Sequence, residues 1–276
     1  MSQDFPPLPE PLPAPVVDNH CHMDIVREGH ESLEPADALA KAASVGVTRI
    51  VQIGCDLPSA RWAVEAANIY ENVIAGVALH PNDAPLHQDL DAAIAEIEAL
   101  ATAHDKVRVI GETGLDFFRT GDDGRAAQQE SFRRHIDLAI RLDKTLQIHD
   151  RDAHDAVLDV LDQVGAPDRW VMHCFSGDAE FARRCLDRGA YLSFSGTVTF
   201  GNAGELREAL AIAPKDRILV ETDAPFLTPA PHRGRTNSAY LIPVTMRAMA
   251  EIRAADLEEM CLQINANTEE AFGGTW

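Results

Sequence analysis

The chain has 276 residues, 46% hydrophobic and 25% charged, so it can bury a large core and carries no compositional mark of disorder or fibrous repeat. Its formal net charge of −20 opposes nucleic-acid backbones and anionic membranes at long range. This excludes a general electrostatic duplex binder, and any anionic substrate must be held locally, by metal or by a few arginines.

Residues 1–15 alternate proline with other residues, without a basic start or a continuous apolar run. They read as an extended arm, disordered or draped on the surface, and not as a signal peptide. Residues 16–276 read as a single domain. Val16 to His22 is the first expected strand, and a helix over Glu34 to Ala43 stops at Gly46. β-Branched Val47 to Gly54 is a strand, Pro58 to Tyr70 a helix, Val73 to Leu79 a strand, and Leu90 to Ala103 a helix. Val107 to Glu112 is followed by a long amphipathic helix, Gly124 to Leu142. Thr145 to His149, Trp170 to Cys174, Ala190 to Ser195 and Arg217 to Asp223 are further strands. Helices over Ala153 to Val164, Ala179 to Arg188 and Ala203 to Ala213 separate them, and Ala239 to Phe272 reads as helical throughout.

Strands alternating with helices of ~10–15 residues imply right-handed crossovers and a parallel sheet. Eight such units in one compositionally even chain predict an α/β fold, a closed (β/α)8 TIM barrel with C-terminal helices. An open doubly wound sheet is the alternative. It would carry a glycine-rich turn after the first strand, where this chain carries histidines.

In a parallel barrel all strand C-termini open on one rim. His20 and His22 share one face of the first strand, because side chains alternate. His80, Glu112, His149, His173 and Asp223 end later strands. Barrel closure would gather this set into one mouth. Imidazole with carboxylate suits Zn2+, Mn2+, Fe2+ or Ni2+, and carboxylate with water suits Mg2+. Five or six ligands exceed the need of one tetrahedral ion and fit two ions about 3.5–4 Å apart. Glu112 is the expected bridge. Asp223 is expected to bind metal, orient the bound water and take its proton.

Several blocks carry a family resemblance. Asp18-Asn19-His20-Cys21-His22, Gly111-Glu112-Thr113-Gly114-Leu115-Asp116-Phe117, His149-Asp150-Arg151-Asp152-Ala153, His173-Cys174-Phe175-Ser176-Gly177 and Glu221-Thr222-Asp223-Ala224-Pro225-Phe226-Leu227 occur in that order. Together they resemble the TatD family of metal-dependent hydrolases, from about Val16 to the C-terminus. Gly76-Val77-Ala78-Leu79-His80-Pro81 and Ser193-Phe194-Ser195-Gly196 look like two further family blocks. The resemblance implies a barrel of the amidohydrolase kind with a divalent-metal site, and deoxyribonuclease activity, commonly on single-stranded DNA ends. By motif match it implies His20, His22, Glu112, His149, His173 and Asp223 as the ligands; on the reading of the residues above, two divalent ions (Mg2+, Mn2+ or Zn2+) are expected there, with Glu112 and Asp223 catalytic. Arg233-Gly234-Arg235-Thr236-Asn237-Ser238-Ala239 lacks a proline usual in the family, which is expected to loosen the entrance to the last helix.

On the substrate side, Arg151, Arg233 and Arg235 are candidates to fork onto phosphate, with Arg119 a lesser one. His80 either binds phosphate or hydrogen-bonds a metal ligand. Glu221 is expected one layer below Asp223, as a buried hydrogen-bond partner. His30, His87, His104, His135, His154 and His232 carry no motif and read as surface or ordinary helix positions. Cys21 and Cys174 are expected to pack behind the strands. Five cysteines without framework spacing, and no apolar run near the ~20 residues of a membrane span, predict a soluble, cytoplasmic protein with no membrane partner. The acidic surface keeps a second activity open, hydrolysis of another ester or amide such as an aminoacyl-tRNA link. A barrel holding a purely structural metal is a third reading.

Overall fold

The computed structural model describes residues 5–276; the first four residues of the proline-rich arm lie outside that range. Eight strands form one parallel sheet in sequential order: β1 (Val16–Cys21), β2 (Val47–Gly54), β3 (Val73–Val77), β4 (Val107–Asp116), β5 (Thr145–Arg151), β6 (Trp170–Met172), β7 (Tyr191–Phe194) and β8 (Ile218–Val220). Helices α1 (Pro35–Ser44), α2 (Leu57–Ile69), α3 (Leu90–Thr102), α4 (Asp122–Arg141), α5 (His154–Val164), α6 (Ala179–Leu186), α7 (Gly204–Ile212) and α8 (Ile242–Arg253) follow the strands in turn, and α9 (Leu257–Ala271) is added at the end. The (β/α)8 barrel expected from the alternation is the observed fold. Among the described residues no helix is long and apolar enough to cross a membrane.

The seam between β8 and β1 is closed by side chains as much as by backbone. His22 N donates to Ala224 O at 2.8 Å and Asp223 N to His20 O at 3.0 Å. The buried Asp18 carboxylate takes both the Thr222 N–H (2.9 Å) and its hydroxyl (2.6 Å), and Asn19 donates to Val220 O at 2.8 Å. These bonds satisfy backbone groups that short β8 would otherwise leave unpaired inside the protein.

Period-2 alternation divides the strand side chains between two cores. Val17, Val51, Ile53, Ile74, Val109, Val171, Tyr191 and Leu219 fill the barrel, with Phe272 buried among them and Trp276 packed against the same cluster. A larger cluster, including Val16, Ile50, Ile110, Leu146, Phe132 and Trp170, lies between strands and helices.

Several strands, β8 most of all, are shorter than the sequence expectation, and two other differences have a local cause. The C-terminal stretch is two helices, because Ala254 adopts a left-handed conformation (φ 48°) and Asp256 caps α9 by accepting from Glu258 N and Glu259 N. β4 runs four residues past Glu112, because Thr113 to Asp116 pair with Ile148 to Arg151 of β5. The segment that lacks the family proline leads into α8. Asn237 is buried there and donates to Thr222 O at 3.0 Å and Phe226 O at 2.6 Å.

The described part of the arm lies on the barrel. Tyr240 donates to Pro6 O at 2.7 Å, Arg247 to Pro11 O at 3.0 Å and Leu12 N to Val45 O at 3.0 Å, while Leu12 and Ala14 are buried in the outer core.

Candidate metal centre

At the C-terminal rim the strands bring His20, His22, Glu112, His149, His173 and Asp223 together. Glu112, from β4, is the hub. Its Oε2 lies 3.5 Å from His20 Nε2 and 3.9 Å from His22 Nε2. Its Oε1 lies 2.6 Å from His149 Nδ1, 3.4 Å from His173 Nε2 and 3.5 Å from His80 Nε2. Asp223 closes the other side, with Oδ1 3.4 Å from His22 Nε2 and 3.8 Å from His20 Nε2. His173 stacks on His20 with ring centroids 3.6 Å apart. Three overlapping ligand groups result: His20, His173 and Asp223; His20, His22 and Glu112; and His80, Glu112 and His149.

The geometry can be tested for its fit to a cation through the outer nitrogens. Gln147 donates its amide to Asn19 O at 2.9 Å, which fixes its oxygen toward His20 Nδ1, also at 2.9 Å. Nδ1 of His20 must therefore carry the proton. His22 Nδ1 lies 2.9 Å from Ile53 O and must donate as well. In the neutral rings both Nε2 atoms then carry lone pairs, 3.1 Å apart and flanked by two carboxylates. Such a cluster of acceptors needs a cation at its centre, and the mixed imidazole–carboxylate set suits a divalent ion.

Against their burial, His22 is raised well above the ordinary imidazole range by Cys55 and Asp223, and His173 by Glu221 and Glu112, so each draws a positive charge into the cup. Burial disfavours ionised Glu112, yet the imidazoles of His173, His80 and His149 hold its carboxyl well below the usual range. Burial likewise opposes ionised Asp223, and His22, His173 and His20 hold it low. His149 is pushed up to about 9 against its burial by the carboxylates of Asp116 and Glu112. His20, fully buried and beside His173, is lowered instead. The acids of the cup favour positive charge at its centre.

Glu221 is fully buried below Asp223, as expected, with Oε1 2.8 Å from His173 Nδ1 and accepting from Cys174 N at 3.0 Å. Cys21 packs in the outer core, but Cys174 does not. It is half-buried with Sγ 3.3 Å from Ser195 Oγ, because its backbone turns to a left-handed φ of 42° directly after β6. His135 has the helix placement expected of a motif-free histidine, on the inner face. It is wholly buried in α4, accepts from Leu79 N at 3.2 Å and donates to Ser131 O at 2.7 Å.

Arg151 lays its guanidinium over Phe118 at 3.9 Å, and exposed Arg233 covers Phe200 at 4.0 Å. Arg235 is half-buried, and its carbonyl accepts from Arg27 and Thr228. Arg119 is exposed, with its backbone N–H on Asp116 Oδ1.

Sequence reasoning missed Gln147, Asp116 and Cys55. Asp116 Oδ2 is 3.4 Å from His149 Nε2, and Cys55 Sγ is 3.5 Å from Glu112 Oε2. Gln147 precedes His149 by two on β5 and so shares its face, a signal that alternation offers.

A parallel barrel whose strand ends gather imidazoles and carboxylates in this way is the architecture of a metal-dependent hydrolase. A family model described as TatD related DNase matches residues 17–273, and the chain belongs to that family. A metal-dependent hydrolase of Mycobacterium tuberculosis, named TatD and described as uncharacterized, is 47% identical over 266 residues, covering 95% of this chain and 99% of that one. The Escherichia coli metal-dependent hydrolase YcfH, also described as uncharacterized, is 37% identical over 260 residues, covering 93% and 95%. Among solved structures, the TatD homologue YjjV of Escherichia coli superposes with a TM-score of 0.87 at 27% identity, covering 94% of this chain and 98% of that one.

Proposed function

We propose that this metal-dependent hydrolase is a deoxyribonuclease that cleaves phosphodiester bonds at single-stranded DNA ends. The observation that carries the metal chemistry is the facing pair of His20 and His22 Nε2 lone pairs, 3.1 Å apart between Glu112 and Asp223. The two oxygens of Glu112 face different histidines, which supports a bridged pair of ions (Mg2+, Mn2+ or Zn2+). His20, His22 and Asp223 would hold one and His149 and His173 the other.

Bound there, a divalent ion supplies a water of lowered pKa and neutralises charge on the phosphoryl oxygens. The side chains do the rest. Asp223 is partly open to solvent while His20, His22 and Glu112 are buried, so its carboxylate is placed to receive the proton of the attacking water. Arg151 and Arg233 each cover a ring with one guanidinium face, which leaves the N–H edges for phosphate. Arg235 offers a third fork. Exposed Phe118 gives an unstacked base a ring to lie on, which favours single strands over duplex. The described cysteines are all free, and a reducing cytoplasm suits them.

The test incubates metal-loaded protein with end-labelled single-stranded DNA. Cleavage is expected, and Asp223→Ala should lower it by at least about 100-fold, the scale of losing a positioned base. No cleavage with Mg2+, Mn2+ or Zn2+ overturns the DNA reading. The net charge of −20 favours a second substrate class, another ester or amide such as charged tRNA, and turnover there with DNA untouched would select it.

A further inference from the structure

Five histidines ring Glu112, and their outer nitrogens divide them into two kinds. Four have an acceptor beside them, which His20 and His22 hydrogen-bond and which lies near His173 and His149 without hydrogen-bond geometry. His20 Nδ1 lies 2.9 Å from Gln147 Oε1, His22 Nδ1 2.9 Å from Ile53 O, His173 Nδ1 2.8 Å from Glu221 Oε1, and His149 Nε2 3.4 Å from Asp116 Oδ2. An acceptor on the outer nitrogen draws the proton outward and leaves the inner lone pair for a cation.

His80 is wired the other way. The backbone N–H of Asn82 donates to its outer Nδ1 at 3.0 Å. A nitrogen that accepts a hydrogen bond carries no proton, so the neutral ring bears its hydrogen on the inner nitrogen, Nε2. That atom faces the cup, 3.5 Å from Glu112 Oε1, and the side chain is 18% exposed where His20 is wholly buried. The turn that imposes this is tightly held. Asp83 N and Ala84 N donate to His80 O at 2.8 and 3.0 Å, and His80 N donates to Cys55 O at 2.8 Å. The Asn82 amide donates to Asp116 Oδ2 at 2.8 Å and accepts from Thr120 at 2.8 Å. His80 therefore presents N–H, not a lone pair, to the cup, with the same 18% exposure as His149.

We propose that His80 is not a metal ligand but a catalytic hydrogen-bond donor, whose Nε2–H binds an anionic oxygen of the substrate phosphoryl group. The donor role rests on the phosphodiesterase reading above; the wiring does not. A fixed N–H aimed where charge develops stabilises a transition state without reorganisation, and its removal costs rate more than binding of metal.

The experiment compares full-length wild type with His80→Ala, His80→Gln and His20→Ala. Metal per chain is measured by mass spectrometry after loading with Zn2+, inorganic phosphate binding by calorimetry, and kcat on bis(p-nitrophenyl) phosphate. Imidazole tautomers are read by long-range 15N–1H correlation in the Zn2+ form. His80→Ala should keep the wild-type metal count, bind phosphate at least about 10-fold more weakly and lose about 100-fold in kcat, with part of each restored by the N–H of His80→Gln. His20→Ala should lose metal. The His80 signals should report hydrogen on Nε2 with metal bound. Metal lost in both His80 variants, a metal shift on His80 Nε2, or phosphate binding and kcat unchanged in His80→Ala would each overturn the proposal. A loaded wild type that neither binds phosphate nor cleaves the diester overturns the phosphodiesterase reading and the phosphate donor with it, while the tautomer and metal count still decide whether His80 is a ligand.

Discussion

Gln147 contributes no atom to the metal cup, yet it sets what His20 can do. Its oxygen holds the His20 Nδ1 proton, and its amide nitrogen is itself fixed on Asn19 O, so His20 can turn only a lone pair inward. Gln147→Leu keeps the volume and removes both bonds. Metal affinity should fall about 10–100-fold, as for other partners of metal-binding histidines, with the far-UV spectrum unchanged; unchanged affinity in a metal titration would refute this. The ligand candidates themselves were legible in the sequence, because each is a polar residue that ends an apolar run and each belongs to the set that barrel closure must gather. Their outer partners were not. Ile53 O is a backbone group chosen by register, Asp116 lies past Glu112, where the sequence reading ended the strand, and Asn82 acts through its backbone N–H. No residue type announces such roles.

At the scale of the element, β4 and α4 explain why this rim holds its shape. β4 reaches Asp116 only because Gly114, at φ +139°, lets it close on β5; a Cβ there would stand 2.1 Å from His149 O. Gly114→Ala must therefore push β5 away beside a candidate ligand, and we expect metal binding to be lost before global stability, seen as a metal titration that fails in a protein with an intact thermal transition. α4 is tied to the end of β3 by His135, which accepts the Leu79 N–H next to His80. Burial lowers this imidazole to about 4. As pH falls from about 6.5 the unfolded chain takes up a proton that the folded His135 refuses, so its contribution to stability is present above 6.5 and lost toward 4, about 3 kcal/mol over the window. The readout is the pH dependence of the difference in unfolding free energy between wild type and His135→Gln. That difference should shrink as the medium is acidified, and a constant difference would exclude His135 as its source. The same helix shows what the sequence reading left open: a lone histidine on an amphipathic helix gives no sign of which face it occupies until Leu79 is placed against it.

For the whole molecule the decisive joint is the one that turns a sheet into a barrel. The alternation of strands and helices made the barrel legible, because eight parallel crossovers leave few other packings. How the last strand meets the first was not legible, because that contact joins residues about two hundred positions apart and is made by side chains as much as by backbone. Asp18 accepts from Thr222 N and Oγ1 and from His20 N, so it holds β8 on β1 and sets His20 and His22 opposite Asp223. Burial raises its carboxyl to about 7 even though the Thr222 bonds oppose this. A raised carboxylate favours the folded state while protonated, so this contribution fades as pH climbs from about 4 toward 7, opposite to that of His135, and wild type alone should show little net slope across the shared window. Removal of the side chain separates the two. Asp18→Ala leaves the buried Thr222 N–H without an acceptor and should cost about 2–4 kcal/mol, whereas Asp18→Asn keeps one oxygen for that N–H and should cost less. Because the same bonds align the two halves of the cup, Asp18→Ala should also weaken metal binding, although Asp18 is not in any of the ligand groups. Denaturant melts and metal titrations on the two variants, run at one pH above 7 and one near 5, would show the seam and the site failing together; metal affinity unchanged in a destabilised Asp18→Ala would mean that the cup is held by β4 and β5 alone.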